Sequence, residues 1–391
     1  MIHFRWNAVW FVLISGVFLY GCSDDELVEA TDAGVQDATS INSGCLETSE
    51  CETGHTCIGG VCVVNPTTEV RLTDNALDTE VSNAGIQLDC AGSLQEAPAG
   101  PEAATVYGRV DRFGGGLITT GMEVSFFKQS DWMASDCRQQ PIEQQNECFR
   151  TEKSDWSTIS TDPEATNPTI PTSCEKHWDC PAGYECVEIS NGLSLGCEPQ
   201  HGLYEVEGIP TNTLLVIRTR NMDPIYEKKW KDTYIFGVYL YADQVDSDGR
   251  IKSNAMMVSE SQWKTVPNTL LVPGGIRKNN GALGGRVRDC RSAERSSFTL
   301  GNATIGLLEP GRATGYFNDD EANTVPLLDS PGTDMYGRFT VVDIPPGANT
   351  VAAAILQTDG AIASLGSESF YLVPNSLAIV SFPGKQPILT K

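Results

Sequence analysis

The chain has little positive charge and little histidine. Its 391 residues include 27 lysines and arginines against 51 aspartates and glutamates, a formal net charge of −24, and only 4 histidines. Because a field of this sign repels phosphate, the composition disfavours nucleic acid and anionic membrane surfaces as partners. The acidity either keeps an exported protein soluble or serves to bind cations, and both interpretations stay open.

Catalytic signatures are also missing. The sequence contains neither the H-E-x-x-H pattern of zinc hydrolases nor the G-x-S-x-G elbow of serine hydrolases. Beyond the N-terminal segment only His55, His177 and His201 remain. Pairs of carboxylates are no indication of glycosidase chemistry in so acidic a chain. We therefore expect a protein that is not an enzyme, with a hydrolase of the cell envelope or the accessory subunit of one as the alternative.

Long apolar runs are missing after residue 19, so no later segment is expected to span a bilayer. The one apolar run, residues 8–19, follows Arg5 and is about 12 residues long, which suits a signal-peptide core better than a transmembrane helix. Gly21 and Cys22 come next. This order resembles a bacterial lipoprotein signal, and the resemblance implies that Cys22 becomes the lipid-bearing first residue of the mature chain. An uncleaved N-terminal anchor is the alternative.

An acidic tether follows Cys22. Residues 23–44 contain six acids and no base, and they have too little apolar surface to fold. As a flexible coil the tether would hold the folded part roughly 25 Å from the membrane. We expect a protein anchored by lipid in the bacterial cell envelope, in the outer membrane or at the cell surface. The membrane is then one partner, and an unidentified envelope protein or glycan is another.

Cysteine, in contrast, is plentiful, with 13 residues in the chain. If Cys22 carries lipid, an even number remains, which is typical of disulfide pairing in an oxidising compartment. Short cysteine-rich segments cannot bury a core, so covalent closure supplies their stability, roughly 2–4 kcal/mol per bridge. The spacing lacks the C-x₂-C knuckles of structural zinc sites, which favours disulfides over zinc. Two clusters share a similar spacing: Cys45, Cys51, Cys57 and Cys62, and Cys174, Cys180, Cys186 and Cys197.

Both clusters resemble the small two-disulfide modules of EGF-like and Dickkopf-type cysteine-rich proteins. With that resemblance we expect the first cysteine of each cluster to pair with the third and the second with the fourth, although four cysteines allow three connectivities. Outside the clusters, Cys137 and Cys148 are close enough in sequence to pair. Cys90 and Cys290 are left to bridge the two halves of the chain.

The C-terminal three quarters of the chain contain an internal repeat. GLYEVEGIPTNTLLVIR begins at Gly202 and GRFTVVDIPPGANTVAAAI begins at Gly337. In both segments apolar residues alternate up to a proline, Pro210 or Pro345, and a second apolar run follows. Alternation with period two, interrupted by Gly and Pro, indicates strand, turn and strand. Later, VPNTL at 266–270 and VPNSL at 373–377 are each expected to lead into a final strand.

These residues resemble the carboxypeptidase regulatory-like domain, a transthyretin-like β-sandwich. The resemblance implies an all-β fold with two tandem sandwiches and a structural or accessory role without an active site. The predicted domains are a signal peptide at 1–21, a tether at 22–44, a cysteine-rich module at 45–64, an irregular lead-in at 65–102, a first sandwich at 103–275 and a second sandwich at 280–387.

The first copy carries an insertion that the second lacks. The interval from Gly108 to Gly202 is 94 residues, whereas that from Gly285 to Gly337 is 52. The inserted cysteine-rich module, at 136–197, contains the second cluster. Because long loops on a rigid scaffold often bind ligands, we expect the insert to bind a partner; capping of a sheet edge explains it equally well.

One acidic loop is a candidate calcium site. In DQVDSDG at 243–249, Asp243, Asp246 and Asp248 offer closely spaced oxygen ligands before a turn glycine. The terminal glutamate of an EF-hand is absent, and a plain hairpin turn containing Asp-Gly explains the pattern as well. NDDE at 318–321 is a weaker candidate of the same kind. No other cofactor is expected.

Overall fold

The structure is a computed structural model in which the signal segment, Cys22 and the tether lie outside the described residues. Cys174 and Cys180 also lie outside them. No helix in the described part is long and apolar enough to cross a membrane. The described residues are 44–75, 77, 79–83, 85–91, 97–112, 119–161, 202–222, 230–293, 298–320 and 325–382, together with the backbone of 184–189 and 194–199.

Strands dominate this part of the chain, and the prediction of an all-β fold is confirmed. Three α-helices are α1 (Gln129–Ala134), α2 (Ile142–Thr151) and α3 (Glu260–Thr269). The strands are β1 (His55–Ile58), β2 (Val61–Val64), β3 (Arg71–Asp74), β4 (Thr79–Val81), β5 (Ala103–Arg112), β6 (Met122–Lys128), β7 (Trp156–Ile159), β8 (Tyr184–Ile189), β9 (Ser194–Pro199), β10 (Leu203–Pro210), β11 (Leu214–Asn221), β12 (Trp230–Lys231), β13 (Thr233–Tyr239), β14 (Arg250–Lys252), β15 (Ala255–Ser259), β16 (Gly281–Val287), β17 (Phe298–Gly301), β18 (Thr304–Leu307), β19 (Ala313–Tyr316), β20 (Arg338–Ile344), β21 (Gly347–Leu356), β22 (Ile362–Leu372) and β23 (Leu377–Phe382).

One eight-stranded sheet runs through both halves of the molecule. Its order is β19-β20-β16-β23-β13-β11-β6-β7. The halves meet where β23 pairs in parallel with β13, with Thr233 opposite Leu377 and Ile235 opposite Ile379. The two repeat copies are therefore joined by backbone hydrogen bonds and share a sheet.

The first half buries its core between this sheet and a second one. The second sheet has the order β10-β5-β15-β12, and β14 also pairs with β5. On β5 the buried residues alternate, as the period-two pattern predicts. Val106 of β5, Phe126 of β6 and Ile209 of β10 are completely buried in the same apolar cluster.

The second half uses β18, β21 and β22 as its facing sheet. Every residue of β20 is buried, and Phe339 and Val341 of that strand lie in the same cluster as Val351 of β21. The part of the predicted lead-in that contains β3 and β4 belongs to this half and is more regular than expected. Its strands β3 and β4 form a sheet with β17, in the order β17-β3-β4.

The proposed equivalence between 266–270 and 373–377 is wrong. Residues 266–269 lie inside α3, whereas 373–376 form a turn before β23. Helix α3 begins with a capping box, in which the Ser259 hydroxyl accepts a hydrogen bond from the Gln262 backbone N–H at 3.2 Å. This local start signal favours a helix, although the two five-residue segments are nearly identical.

Candidate functional site

The first cysteine-rich module is closed by two disulfides. Cys45 bonds Cys57 and Cys51 bonds Cys62, so the first cysteine pairs with the third and the second with the fourth. The β1–β2 hairpin packs Val61 and its neighbours against β21. The module is thus docked on the second half and stabilises its surface.

Two further bridges lie in the described residues. Cys137 bonds Cys148 within the insert. Cys90 bonds Cys290, and both are buried. Since Cys90 belongs to the lead-in, this bridge fastens the lead-in to the second half and does not join the two predicted sandwiches.

The second cysteine cluster shows the same hairpin register as the first. Cys186 of β8 lies opposite Cys197 of β9, as Cys57 lies opposite Cys62 in the first module. The connectivity of the second cluster remains a prediction, because its first two cysteines are outside the described residues.

The candidate calcium loop is organised by its own backbone. The carboxylate of Asp246 accepts hydrogen bonds from the backbone N–H groups of Asp248 at 3.0 Å and Arg250 at 2.8 Å. Asp243 lies in a short 3-10 helix, Ala242–Gln244. An aspartate that caps a turn in this way accounts for the Asp-Gly pattern, and calcium binding by Asp243, Asp246 and Asp248 remains a prediction.

In the weaker candidate loop, the buried guanidinium of Arg338 binds two backbone carbonyl oxygens. Arg338 donates to the backbone carbonyls of Asn318 at 2.9 Å and Asp320 at 2.8 Å, and to the Asp334 carboxylate at 2.7 Å. Its guanidinium also lies 5.2 Å from the ring centroid of Phe317. Arg338 therefore uses two backbone carbonyls of this loop, and cation binding by the loop remains a prediction.

Among the described residues, the only group of three or more His, Cys, Asp or Glu side chains close enough together to hold a metal ion is Cys45, Cys51 and Cys62, which are disulfide-bonded. A surface depression of about 420 Å³ is lined by Gln129, Ser130, Met133, Thr213 and Leu214, none of which is titratable. His177 and His201 lie outside the described residues.

Helix α1 and the start of the insert form a helical clamp, which we define as residues 129–152. Arg218 of β11 is completely buried beneath it and donates to the backbone carbonyls of Phe149 and, at 2.9 Å, Glu152. These carbonyls end α2, where a cation is favourable. The same guanidinium reaches the Glu123 carboxylate at 2.9 Å. Burial raises the pKa of Glu123, but hydrogen bonds from Arg220 and Ser125 outweigh it and lower the pKa below its usual value.

The helical clamp also contacts the second half. Asn146 donates to the carbonyl of Pro374, and the Tyr371 hydroxyl donates to the side-chain carbonyl of Gln145 at 3.0 Å. Trp132 is 1% exposed and packs its ring 4.8 Å from that of Phe149. The helical clamp therefore stabilises the junction between the halves, and the signal that sequence reasoning missed is the buried Arg218.

The two residues that flank the remainder of the insert, Thr161 and Leu203, are hydrogen-bonded to each other. The backbone N–H of Thr161 donates to the carbonyl of Leu203, and the N–H of Leu203 donates back to Thr161, both at 2.8 Å. Between these residues the structure describes only the β8–β9 hairpin. The portion at 162–201, which holds the second cysteine cluster, is the candidate binding module.

Comparison with known proteins shows no family. No protein-family model and no curated protein matches the chain. Among solved structures, shaft pilin SpaA from Lactobacillus rhamnosus GG is similar at 11% identity and a TM-score of 0.16, covering 74% of this chain and 100% of the pilin. A mutant of that pilin gives 9% identity and a TM-score of 0.18, with 72% and 98% covered. A leucine-rich repeat protein from Bacteroides thetaiotaomicron VPI-5482 gives 8% and 0.17, with 74% of this chain and 27% of that chain covered. Scores this low support no conclusion about function.

Proposed function

We propose that the chain is a lipid-anchored protein of the bacterial cell envelope that acts without catalysis, as a binding, adhesion or structural accessory protein. The observation that carries this proposal is the set of disulfide bridges. Four of them close the described part of the chain, two in one small module and two that fix peripheral segments. Such bridges persist in oxidising compartments outside the cytosol. The signal pattern that ends at Cys22 supports the same location.

The anchor can be tested directly at Cys22. A Cys22→Ala variant should lose labelling by a palmitate analogue and move from the membrane fraction to the soluble fraction, because no residue would then accept lipid. Ser23→Ala is the matched control and should keep both the label and the membrane location. Membrane retention of Cys22→Ala equal to that of the parent would contradict the lipoprotein proposal.

The binding role is assigned to the module at 162–201. Because Thr161 and Leu203 are hydrogen-bonded to each other, residues 162–201 can be replaced by a short glycine linker without stretching the body. Removing the whole insert from residue 136 would instead remove buried Cys137 and Phe149 and unfold the protein.

The excised protein should keep the melting temperature of the parent to within a few degrees while it loses the envelope partners recovered by crosslinking. A Leu46→Ser variant in the first cysteine-rich module is the control, since it leaves the second module intact; Leu46 is 88% exposed. Recovery of the same crosslinked partners by the excised protein would show that this module is not the binding element.

A further inference from the structure

Three buried residues form one row across strands from different parts of the chain. Arg288, which directly follows β16, lies opposite Thr299 of β17, and Thr299 lies opposite Thr73 of the lead-in strand β3. Residues that lie opposite each other in antiparallel strands place their side chains on the same face. The row therefore brings a guanidinium and two hydroxyl groups onto one face of the fold.

Two members of this row have polar atoms without a partner. Arg288 is 8% exposed, and Thr73 and Thr299 are completely buried. The Nε atom of Arg288 and the hydroxyl of Thr73 have no hydrogen-bond partner among the described residues, whereas the Thr299 hydroxyl donates to the side chain of Asn75 at 2.9 Å. Buried polar groups of folded proteins are nearly always satisfied, so two unsatisfied groups in one row point to a bound ligand.

The charge in this row indicates what kind of ligand it is. Burial, and then the positive charge of Arg286, lower the pKa of Arg288 to about 10, so the guanidinium is still charged at neutral pH. Neither effect comes from an acid. Asp334, which also interacts with Arg286, accepts a hydrogen bond from Arg338 at 2.7 Å. A buried cation without a counter-charge is unfavourable, and an anion is the ligand that supplies one.

The other acids around the row are bound, turned away or exposed. The Asp289 carboxylate accepts a hydrogen bond from Arg291 at 2.9 Å. Asp74 lies on the opposite face of β3 from Thr73, because successive side chains of a strand alternate. Glu80 lies opposite Thr73 on β4 and is exposed, so water hydrates its charge. The net charge of −24 opposes the approach of an anion, but at physiological salt charges are screened beyond about 8 Å.

We propose that Arg288 and Thr73 bind a small free oxyanion such as inorganic phosphate, which joins the lead-in strand β3 to the end of β16. A guanidinium presents parallel N–H donors that match two oxygens of an oxyanion, and a hydroxyl donates to a third. Such an ion satisfies both unsatisfied groups and neutralises the buried charge. Because only 8% of Arg288 is exposed, the ligand is a free ion and not a phosphate group on a macromolecule.

The anion and a disulfide hold the same junction. Cys290, two residues after Arg288, is bonded to Cys90 of the lead-in. The disulfide fastens the end of the lead-in, and the anion fastens its first strand. This site is independent of the proposed lipid anchor and of the proposed binding module at 162–201.

Thermal unfolding of the full chain in a nonionic detergent tests the site. Buffers at neutral pH and equal ionic strength contain either sodium phosphate or sodium chloride. The melting temperature should be at least about 2 °C higher in phosphate, because a ligand that binds only the folded state stabilises it. Hydrogen exchange in β3 should also be slower in phosphate.

Two variants locate the effect. Arg288→Met should lose the response to phosphate, while its melting temperature in chloride should be equal to or above that of the parent, since a buried charge is removed. Thr73→Val keeps the shape of the side chain but lacks the hydroxyl. It should need about tenfold more phosphate for half of the rise, the effect of one hydrogen bond to a charged group.

Arg250→Met is the matched control, since Arg250 lies on β14 with its side chain 37% exposed. It should respond to phosphate as the parent does. Equal melting temperatures of the parent in phosphate and chloride would overturn the proposal and leave water to satisfy the two groups. A response of Arg288→Met or Thr73→Val equal to that of the parent would overturn it as well, because phosphate would then bind elsewhere.

Discussion

At the scale of single residues, the buried arginines of the described residues lie in two kinds of environment. Arg218 and Arg338 are surrounded by carbonyl and carboxylate acceptors. Arg288 is 8% exposed, and its Nε has no hydrogen-bond partner among the described residues. Burial, with a smaller effect from nearby Arg286, lowers the pKa of Arg288 to about 10. The buried charge of Arg288 therefore lowers the free energy of unfolding.

Replacing Arg288 by methionine should stabilise the protein by on the order of 1–3 kcal/mol, since a buried charge is exchanged for an apolar chain of similar length. The unfolded chain keeps this proton to a higher pH than the folded one does. The free-energy cost of burying the charge is therefore fully present below about pH 10, and it fades as the pH rises toward the pKa of arginine in the unfolded chain. The stability gained by Arg288→Met should therefore be measured by urea denaturation near neutral pH. Lys252→Met, at an exposed position on β14, should change the free energy of unfolding by less than about 0.5 kcal/mol. A loss of stability in Arg288→Met would show that the charge has an unrecognised stabilising role.

The acidic loops show what sequence alone can predict about a site. Closely spaced aspartates correctly mark turns, because Asp246 caps one. The sequence cannot show that two backbone N–H groups already use the Oδ1 atom of Asp246. Nor can it show that Arg338 reaches the carbonyls of Asn318 and Asp320, because that contact depends on how β20 lies beside the loop.

At the scale of elements, the helical clamp depends on one side chain. Arg218→Met should destabilise the protein by about 2–4 kcal/mol, because it leaves the Phe149 and Glu152 carbonyls without their donor. Hydrogen exchange should show earlier opening of α2 than of β11. Arg250→Met is the control, since its ion pair with Glu205 is 37% and 52% exposed at the two side chains and should contribute less than about 1 kcal/mol. Equal losses in the two variants would rule out the clamp as a stabilising element.

The disulfide between Cys90 and Cys290 is a second feature that stabilises the packing of elements. It joins residues 200 apart in sequence, so its removal by paired Cys→Ser changes should cost about 2–4 kcal/mol by releasing a long loop in the unfolded chain. Faster hydrogen exchange should appear in β3 and β4. Removal of the Cys137–Cys148 bridge, whose separation is 11, should cost less on the same entropic ground. The opposite order would mean that native packing, and not loop length, sets the effect.

Local patterns predicted some elements and missed others for physical reasons. The alternation in β10 and β20 was sufficient to predict both strands. Strand β3 was missed because its partner β17 lies more than 200 residues away, with Leu72 opposite Leu300. Helices α1 and α2 were missed because their short apolar faces are completed by tertiary contacts, such as that of Trp132 with Phe149.

At the scale of the whole molecule, the two halves cannot be treated as independent domains. Strand β23, the last described strand, lies between β16 of its own half and β13 of the other. The resemblance between the copies indicated two sandwiches, but a parallel pair between distant strands leaves no local sequence signal. The shared sheet makes the two halves one cooperative structure.

Alkaline pH should destabilise this whole structure. Burial raises the pKa of Tyr204, Tyr234, Tyr239, Tyr241 and Tyr371, and that of Tyr316 to about 12. Unfolded tyrosines ionise near pH 10, so between about pH 10 and 12 the unfolded chain releases protons that the folded protein keeps. The free energy of unfolding should therefore fall as the pH rises through 10. The single Arg288 makes a smaller contribution of the opposite sign, because loss of its buried charge raises the free energy of unfolding over the same pH range.

Urea titrations at several values between about pH 9 and 11 measure this slope, to which each fully buried tyrosine adds up to about 1.4 kcal/mol per pH unit. Tyr316 accepts a hydrogen bond from the N–H of Ile305 at 3.0 Å, so Tyr316→Phe should cost some stability near neutral pH and reduce the slope by one group. A stability that stays constant from about pH 9 to 11 would show that these hydroxyls reach water in the folded protein.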